Sequence, residues 1–199
     1  TQSRSSAASD VYKRQLYRRE MPQPDSSLYE AAAYHFNSPG KAFRAQLALS
    51  SGHALKLNAV DNLNWAAACE LLHNASLIHD DISDASTHRR GQKSIHAQFG
   101  GDMALCLGDW MVAKAFALAG RNSRYAAPLV VILAEAMQST CSGQMSDIKQ
   151  RQCASIYDWE CIASGKTTPL LIAPIKGATI AAGLHTELIS LERLVSLCL

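Results

Sequence analysis

The run Val60-Asp61-Asn62-Leu63-Asn64-Trp65-Ala66-Ala67-Ala68-Cys69-Glu70-Leu71-Leu72-His73-Asn74-Ala75-Ser76-Leu77-Ile78-His79-Asp80-Asp81-Ile82-Ser83-Asp84 decides the fold. Within it Leu63, Ala66, Ala67, Leu71, Ala75 and Ile78 recur at three- and four-residue steps, the period of a helix. Trp65, Ala68, Leu72 and Leu77 put apolar groups on its other faces. A helix that is apolar nearly all round needs neighbours on every side, so this one is predicted to sit at the centre of a bundle.

Outward from it the same period continues. Helices are predicted from Leu28 to Phe36 and, after a break at Pro39-Gly40, from Lys41 to Leu57. Beyond a polar loop, Ala85 to Lys93, they resume over Ile95 to Gly120, Ala126 to Arg151 and Ile156 toward Ala182. Pro169 and Pro174 fall inside the last, and each removes a backbone hydrogen bond, which predicts a bend just after Lys166-Thr167-Thr168. No run alternates with period two and no internal repeat is visible, so the predicted class is all-α. Thr1 to Gln15 is polar and Ser/Ala-rich, and Ser5 to Gln15 resembles a translated sequencing-adapter tail. Residues 1–15 are expected to be disordered or artefactual, with one helical domain over 16–199.

Composition agrees with a single globular domain. Of 199 residues, 48% are hydrophobic and 18% charged, with 19 Lys+Arg against 17 Asp+Glu. That balance excludes disorder and collagen-like structure, and a net charge of +2 provides no broad basic surface for nucleic acid or acidic membranes. The six cysteines, Cys69, Cys106, Cys141, Cys153, Cys161 and Cys198, contain no C-x-x-C pair, which excludes zinc knuckles and points to a reducing, cytoplasmic location. Lys114, Arg121, Glu135 and Lys176 interrupt the apolar stretches before the ~18 residues of a membrane span.

The chemistry concentrates at the end of the central helix. Asp80 and Asp84, four apart, project from one face, where two charges at ~4 Å repel by about 4 kcal/mol at an effective dielectric of 20. A cation is needed between them, and oxygen-only donors suit Mg²⁺, which completes its shell with water and phosphate oxygens. Taken alone, Asp-Asp-x-x-Asp also fits a solvated helix end with Arg89 and Arg90 in weak surface ion pairs. The two adjacent arginines within a short loop favour phosphate recognition, and carboxylates beside them imply a diphosphate. Lys41 and Arg44, three apart at a helix start, are placed to grip one anion together with the helix N-terminus, or else form a solvated end. Gly165-Lys166-Thr167-Thr168 has the ending of a nucleotide phosphate loop, but Glu160 stands where an earlier glycine is required and no strand precedes it. Lys166 is instead expected to point into the bundle cavity.

These motifs together resemble the trans-isoprenyl diphosphate synthases, the polyprenyl synthetase family. The resemblance is carried by Gly40-Lys41-x-x-Arg44, Glu70-Leu71-Leu72-His73, His79-Asp80-Asp81-x-x-Asp84, Arg89-Arg90-Gly91, Gly143-Gln144-x-x-Asp147 and Lys166-Thr167, collinear from about Leu16 to Ala182. It implies an isoprenoid-synthase helical bundle with a central cavity that joins an allylic diphosphate to isopentenyl diphosphate and releases pyrophosphate. It further implies Mg²⁺ on Asp80 and Asp84, with Asp81 and Asp147 supporting. Arg89, Lys166 and Thr167 are then expected on the allylic diphosphate, Lys41, Arg44, His73 and Arg90 on isopentenyl diphosphate, and Gln144 facing the cavity. The full-length protein is expected to be a homodimer. Ala75 and Ser76, small residues one to two turns before Asp80, are expected to line the path of the prenyl tail and leave room for a product longer than farnesyl, with Leu72, Cys69 or a facing helix as other candidates for the floor.

The chain also departs from the family pattern. A second aspartate-rich motif would follow Lys166, yet no Asp occurs from Thr167 to Leu199, and an N-terminal helical segment is missing. The expectation is a fragment incomplete at both ends, exposing apolar helix faces and inactive by itself. Two other readings are a non-catalytic partner subunit of a prenyl synthase and a His-Asp metal phosphohydrolase built on His73 or His53 with His79-Asp80. The second leaves Asp84, both arginines and Lys166 without a role.

Overall fold

The computed structural model describes residues 20–37, 40–149 and 156–184; the expected tail, residues 1–15, lies outside them. In chain order the elements are α1 (Tyr29–Asn37), α2 (Phe43–Ala54), α3 (Ala59–Ser83), β1 (His88–Arg89), β2 (Gln92–Lys93), α4 (Ile95–Phe99), α5 (Gly101–Ala119), α6 (Ala126–Lys149) and α7 (Ile156–Ala181). The described residues thus form the helical bundle that the periodicity predicts.

Helix α3 is its centre. Asn58 starts it, its side-chain oxygen accepting the Asp61 N–H at 2.8 Å in place of the missing intrahelical partner. Trp65, Ala66, Ala67, Ala68, Leu71, Leu72, Ala75 and Ile78 are all buried, against α2 on one side, α5 on another and α7 on a third. The run of alanines lets neighbouring backbones approach closely, while Trp65 fills the space they leave. Its ring lies over Gly177 of α7, where an added Cβ would collide with the indole, and its N–H donates to the Pro174 carbonyl at 2.9 Å. Helix α7 continues through both prolines.

Two details differ from the sequence expectation. The polar loop contains a two-stranded antiparallel hairpin, His88 opposite Lys93 and Arg89 opposite Gln92. Its turn is Arg90-Gly91, both at positive φ (52° and 80°), as a two-residue type I′ connection requires. Strands of two residues are too short to show a period. The predicted helix Ile95 to Gly120 is divided at Gly100, whose φ of 93° ends α4 and redirects the chain into α5.

Candidate functional site

Asp80, Asp81 and Asp84 occupy the C-terminal end of α3, the negative end of its dipole, with no basic residue of its own in the last turn. Their stabilisation therefore comes from elsewhere in the fold. Lys166 of α7 places Nζ 3.1 Å from Asp80 Oδ1 and 2.9 Å from Asp147 Oδ2 of α6. Arg89 of the hairpin grips Asp81 with two contacts of 2.7 Å, Nε to Oδ2 and Nη2 to Oδ1, and reaches Asp80 Oδ2 at 3.4 Å. Gln144 of α6 donates its side-chain N–H to Asp84 Oδ1 at 3.2 Å. The paired Asp81 raises the Arg89 pKa above its ordinary value against the opposing effect of burial. Burial pushes the Lys166 ammonium down, but its bonds to Asp147 and Asp80 outweigh it and leave the pKa raised.

Five of the expected site residues thus converge: Asp80, Asp84, Arg89, Lys166 and Gln144. Asp147 joins them through Lys166. Asp81 is oriented differently from the supporting metal role the sequence implied. Its side chain is 4% exposed and both oxygens are held by Arg89.

The approach of α6 to α7 is what brings Lys166 to Asp147. A Cβ on Gly143 would lie 2.5 Å from the Gly165 carbonyl carbon and from the Lys166 nitrogen, so the two backbones touch where these motifs begin. Any side chain at 143 would force the ion pair apart.

A second, basic cluster lies beside the first. Burial, together with the positive charges of Arg44, Arg90 and Arg89, pushes the His73 pKa down to about 3. Burial pushes His35 down to about 4, partly offset by its hydrogen bond to Asn74, with Nε2 2.8 Å from Asn74 Oδ1. Arg44 itself is lowered by desolvation, which the nearby Glu70 carboxylate opposes. Two neutral histidines beside arginines mark a region of positive potential suited to an anion. The hairpin turn sends Arg89 and Arg90 different ways: Arg89 to the carboxylates, Arg90 toward Gly40, where a Cβ would sit 2.5 Å from Nη1. Lys41 is exposed and outside the cavity lining, and its carbonyl accepts Gln46 Nε2 at 2.7 Å. At the start of α2 one N-terminal donor is already engaged, the Ala45 N–H donating to Glu70 Oε2 at 3.1 Å.

Between α3, α6 and α7 lies a cavity of about 410 Å³. Arg44, His73, His79, Asp80, Lys166 and Thr167 supply its polar wall; Leu77, Met137, Met145 and Leu170 supply apolar surface. Met137 is seven residues from Gln144 on α6, a descent of about 10 Å into the bundle. Ser76 lines the cavity, its hydroxyl held by the His73 carbonyl at 2.8 Å, whereas Ala75, Cys69 and Leu72 are packed in the core outside the lining. Apolar surface at depth thus comes from the facing helix, one of the candidates the sequence left open. His79 turns to Asp109 of α5 (3.4 Å), and His53 is exposed near the end of α2. Among the described residues no three His, Cys, Asp or Glu side chains assemble as a ready metal site.

The missed residues are Glu70 and His35. Both are buried polar side chains in apolar helices, a signal the sequence contains but which does not by itself separate a ligand from a satisfied core group.

A helical bundle with an acidic motif, a separate basic cluster and an apolar cavity between them defines a class suited to amphiphiles with a polyanionic head. The sequence matches the polyprenyl synthetase family over residues 25–198, and the chain belongs to that family. It is 32% identical over 166 residues to a short chain isoprenyl diphosphate synthase of Methanocaldococcus jannaschii, covering 82% of this chain and 51% of that protein. A farnesyl diphosphate synthase of Buchnera aphidicola is 32% identical over 190 residues, covering 87% of this chain and 65% of the relative. The fold superposes on a polyprenyl synthase of Caulobacter crescentus, solved in complex with calcium and isoprenyl diphosphate, with a TM-score of 0.80 at 27% identity, over 90% of this chain and 55% of that one. The chain spans about half the length of the archaeal short chain synthases it matches. Among the described residues no helix is long and apolar enough to cross a membrane.

Proposed function

We propose that this chain is the part of a prenyltransferase that condenses an allylic diphosphate with isopentenyl diphosphate, giving a longer (E)-polyprenyl diphosphate and pyrophosphate. One observation carries it: an ion-paired acidic cluster stands at one end of an apolar cavity. In that cluster three of four carboxylates, Asp80, Asp81 and Asp147, meet two cations, Arg89 and Lys166, and the fourth, Asp84, accepts from the neutral Gln144 amide. The surplus of two negative charges equals the charge of one divalent ion, and the donors are hard oxygens, so the residues fit Mg²⁺. Asp80 and Asp84 would hold it, and it would supply neutralisation of the leaving diphosphate as the allylic C–O bond ionises.

The chain's own residues divide the remaining work. Lys166, Arg89 and Thr167 bind the allylic diphosphate, with Gln144 steadying Asp84 beside it. Asp81 contributes by holding Arg89, and Asp147 by holding Lys166. Arg44, His73, Arg90 and Lys41 bind isopentenyl diphosphate on the basic side, so that its double bond faces the allylic carbon. Leu77, Met137 and Leu170 enclose the tail and keep water from the developing cation. Ser76, a small side chain about one turn before Asp80, lines the cavity and leaves room there, which supports a product longer than farnesyl. For the full-length protein the assembly proposed is a homodimer. The location proposed is cytoplasmic.

The test is incubation of this chain, and of a version extended from its source DNA, with isopentenyl and allylic diphosphates and Mg²⁺, with products weighed by mass spectrometry. The extended protein is expected to release pyrophosphate and a lengthened prenyl diphosphate, and its Asp80→Ala variant neither. An extended protein that binds both substrates and condenses nothing would instead establish the non-catalytic subunit.

A further inference from the structure

Glu70 is a buried carboxylate that the proposed chemistry leaves unused. It is 3% exposed, lies outside the cavity lining and sits in the middle of α3. Burying a carboxylate is costly unless its charge is satisfied, so its partners reveal what it does. One oxygen, Oε2, accepts the Ala45 N–H at 3.1 Å; Ala45 is the third residue of α2. The other, Oε1, receives a longer contact of 3.4 Å from Asn74 Nδ2, which also donates to the Glu70 carbonyl at 2.7 Å. Asn74 is fixed in turn by His35 at 2.8 Å. The carboxylate is therefore braced from α1 and α3 and delivered to the start of α2.

That start is strained. Ala42, its N-cap residue, is held at φ 46° in the left-handed region, is 5% exposed and makes no side-chain cap. An alanine there pays a steric cost that glycine does not, and such a conformation persists only where its surroundings impose it. On the two sides of Ala42 stand Lys41 and Arg44, the cations assigned to the second diphosphate. The strained turn is tied down at one end by Gln46 on the Lys41 carbonyl and at the other by Glu70 on the Ala45 N–H.

We propose that Glu70 is a positioning residue for the isopentenyl diphosphate site. It supplies the cap that Ala42 cannot, and so holds the left-handed turn in the one conformation that presents Lys41 and Arg44 together. This rests on the function proposed above for those two cations. It separates the two anion sites, because Glu70 acts directly on the Ala45 N–H and on the nearby Arg44, and reaches the neighbourhood of Arg89 only through Asn74 and His35.

The experiment titrates the version extended from its source DNA, with Mg²⁺ present, calorimetrically with isopentenyl diphosphate and, separately, with geranyl diphosphate, alongside amide exchange at Ala45. Glu70→Leu keeps the bulk and removes the acceptor; Glu70→Gln keeps an acceptor. Glu70→Leu is expected to weaken isopentenyl diphosphate at least about tenfold, the loss of one charge-assisted bond, while geranyl diphosphate changes less than about twofold. Ala45 exchange accelerates by a similar factor. Glu70→Gln restores most of both, and Ala42→Gly on the Leu background restores part, since glycine adopts the turn without strain. Equal losses for the two ligands, a Gln variant as weak as the Leu variant, or no gain from Ala42→Gly would overturn the proposal. Should the Leu variant fail to fold, Glu70→Gln with and without Ala42→Gly reads the same coupling. An extended protein that binds neither ligand refutes the proposed function; unchanged Ala45 exchange in the Leu variant refutes the clamp.

Discussion

Replacing Gly143 with alanine puts the contact between α6 and α7 to a quantitative test. The new methyl would lie 2.5 Å from the Gly165 carbonyl carbon and the Lys166 nitrogen and 2.7 Å from the Gly165 oxygen, all backbone atoms that cannot rotate away. Carbon contacts relax at roughly 3.5–4.0 Å, so the helices must part by about 1 Å. Overpacking of this kind costs about 1–3 kcal/mol, and the rigid neighbours place Gly143 at the upper end. Against it stands a gain of about 1 kcal/mol in helix propensity, leaving a net loss of about 1–2 kcal/mol. Gly165, directly opposite, behaves in the reverse sense. Its added methyl meets Gly143 Cα at 3.5 Å, an ordinary contact, so the propensity gain survives and Gly165→Ala stabilises by about 0.5–1 kcal/mol. Urea denaturation of the two variants measures both signs, with melting temperatures moving about 2–4 °C per kcal/mol. The Gly143 variant should also lengthen the Lys166 contacts, now 2.9 and 3.1 Å, in a crystal structure. Equal signs for the pair, or intact Lys166 contacts in the Gly143 variant, would refute the close-crossing account.

Three further outcomes follow from the geometry. Because His35 and His73 are lowered to about 4 and about 3, stability is complete above about pH 6.5 and falls as pH drops, where the unfolded chain takes up protons that the folded one refuses. Between pH 7 and 5 this removes about 2 kcal/mol per histidine, so denaturation midpoints of His35→Gln should fall less over that range than those of the parent; a parallel fall would contradict the burial argument. Asp81→Ala should destabilise by about 2–3 kcal/mol and Asp80→Ala by less, since only the first strands a buried pair, whereas Mg²⁺ titration should show the larger loss for Asp80→Ala; the opposite order in either assay would fail this account. Gly177→Ala drives a methyl into Trp65 and should cost more than 3 kcal/mol, a loss recovered in part by Trp65→Leu in the same chain; no recovery would place the clash elsewhere.

The bundle was legible because α3 has apolar residues on all its faces, and only a central helix needs that. The acidic end of α3 and the arginines after it were legible for a related reason: carboxylates at the negative end of a helix demand cations, and the sequence offers two within a few residues. What periodicity did not reveal was pairing. Asp81 and Asp80 are adjacent, and nothing in their spacing says that Arg89 closes on the first while Lys166 takes the second. The hairpin escaped because its strands are two residues long, although Arg90-Gly91 marked its turn. Glu70 escaped because its purpose lies across the fold, at an N–H whose own N-cap residue has no side-chain acceptor to offer.

That hairpin turn has a mechanical corollary. Arg89 and Arg90 share one peptide plane yet serve opposite walls, and a connection of two residues at positive φ has almost no torsional slack. With the backbone between them fixed, the two guanidiniums leave the turn on diverging courses, and each adjusts to its own anion through its own side-chain torsions without disturbing the other.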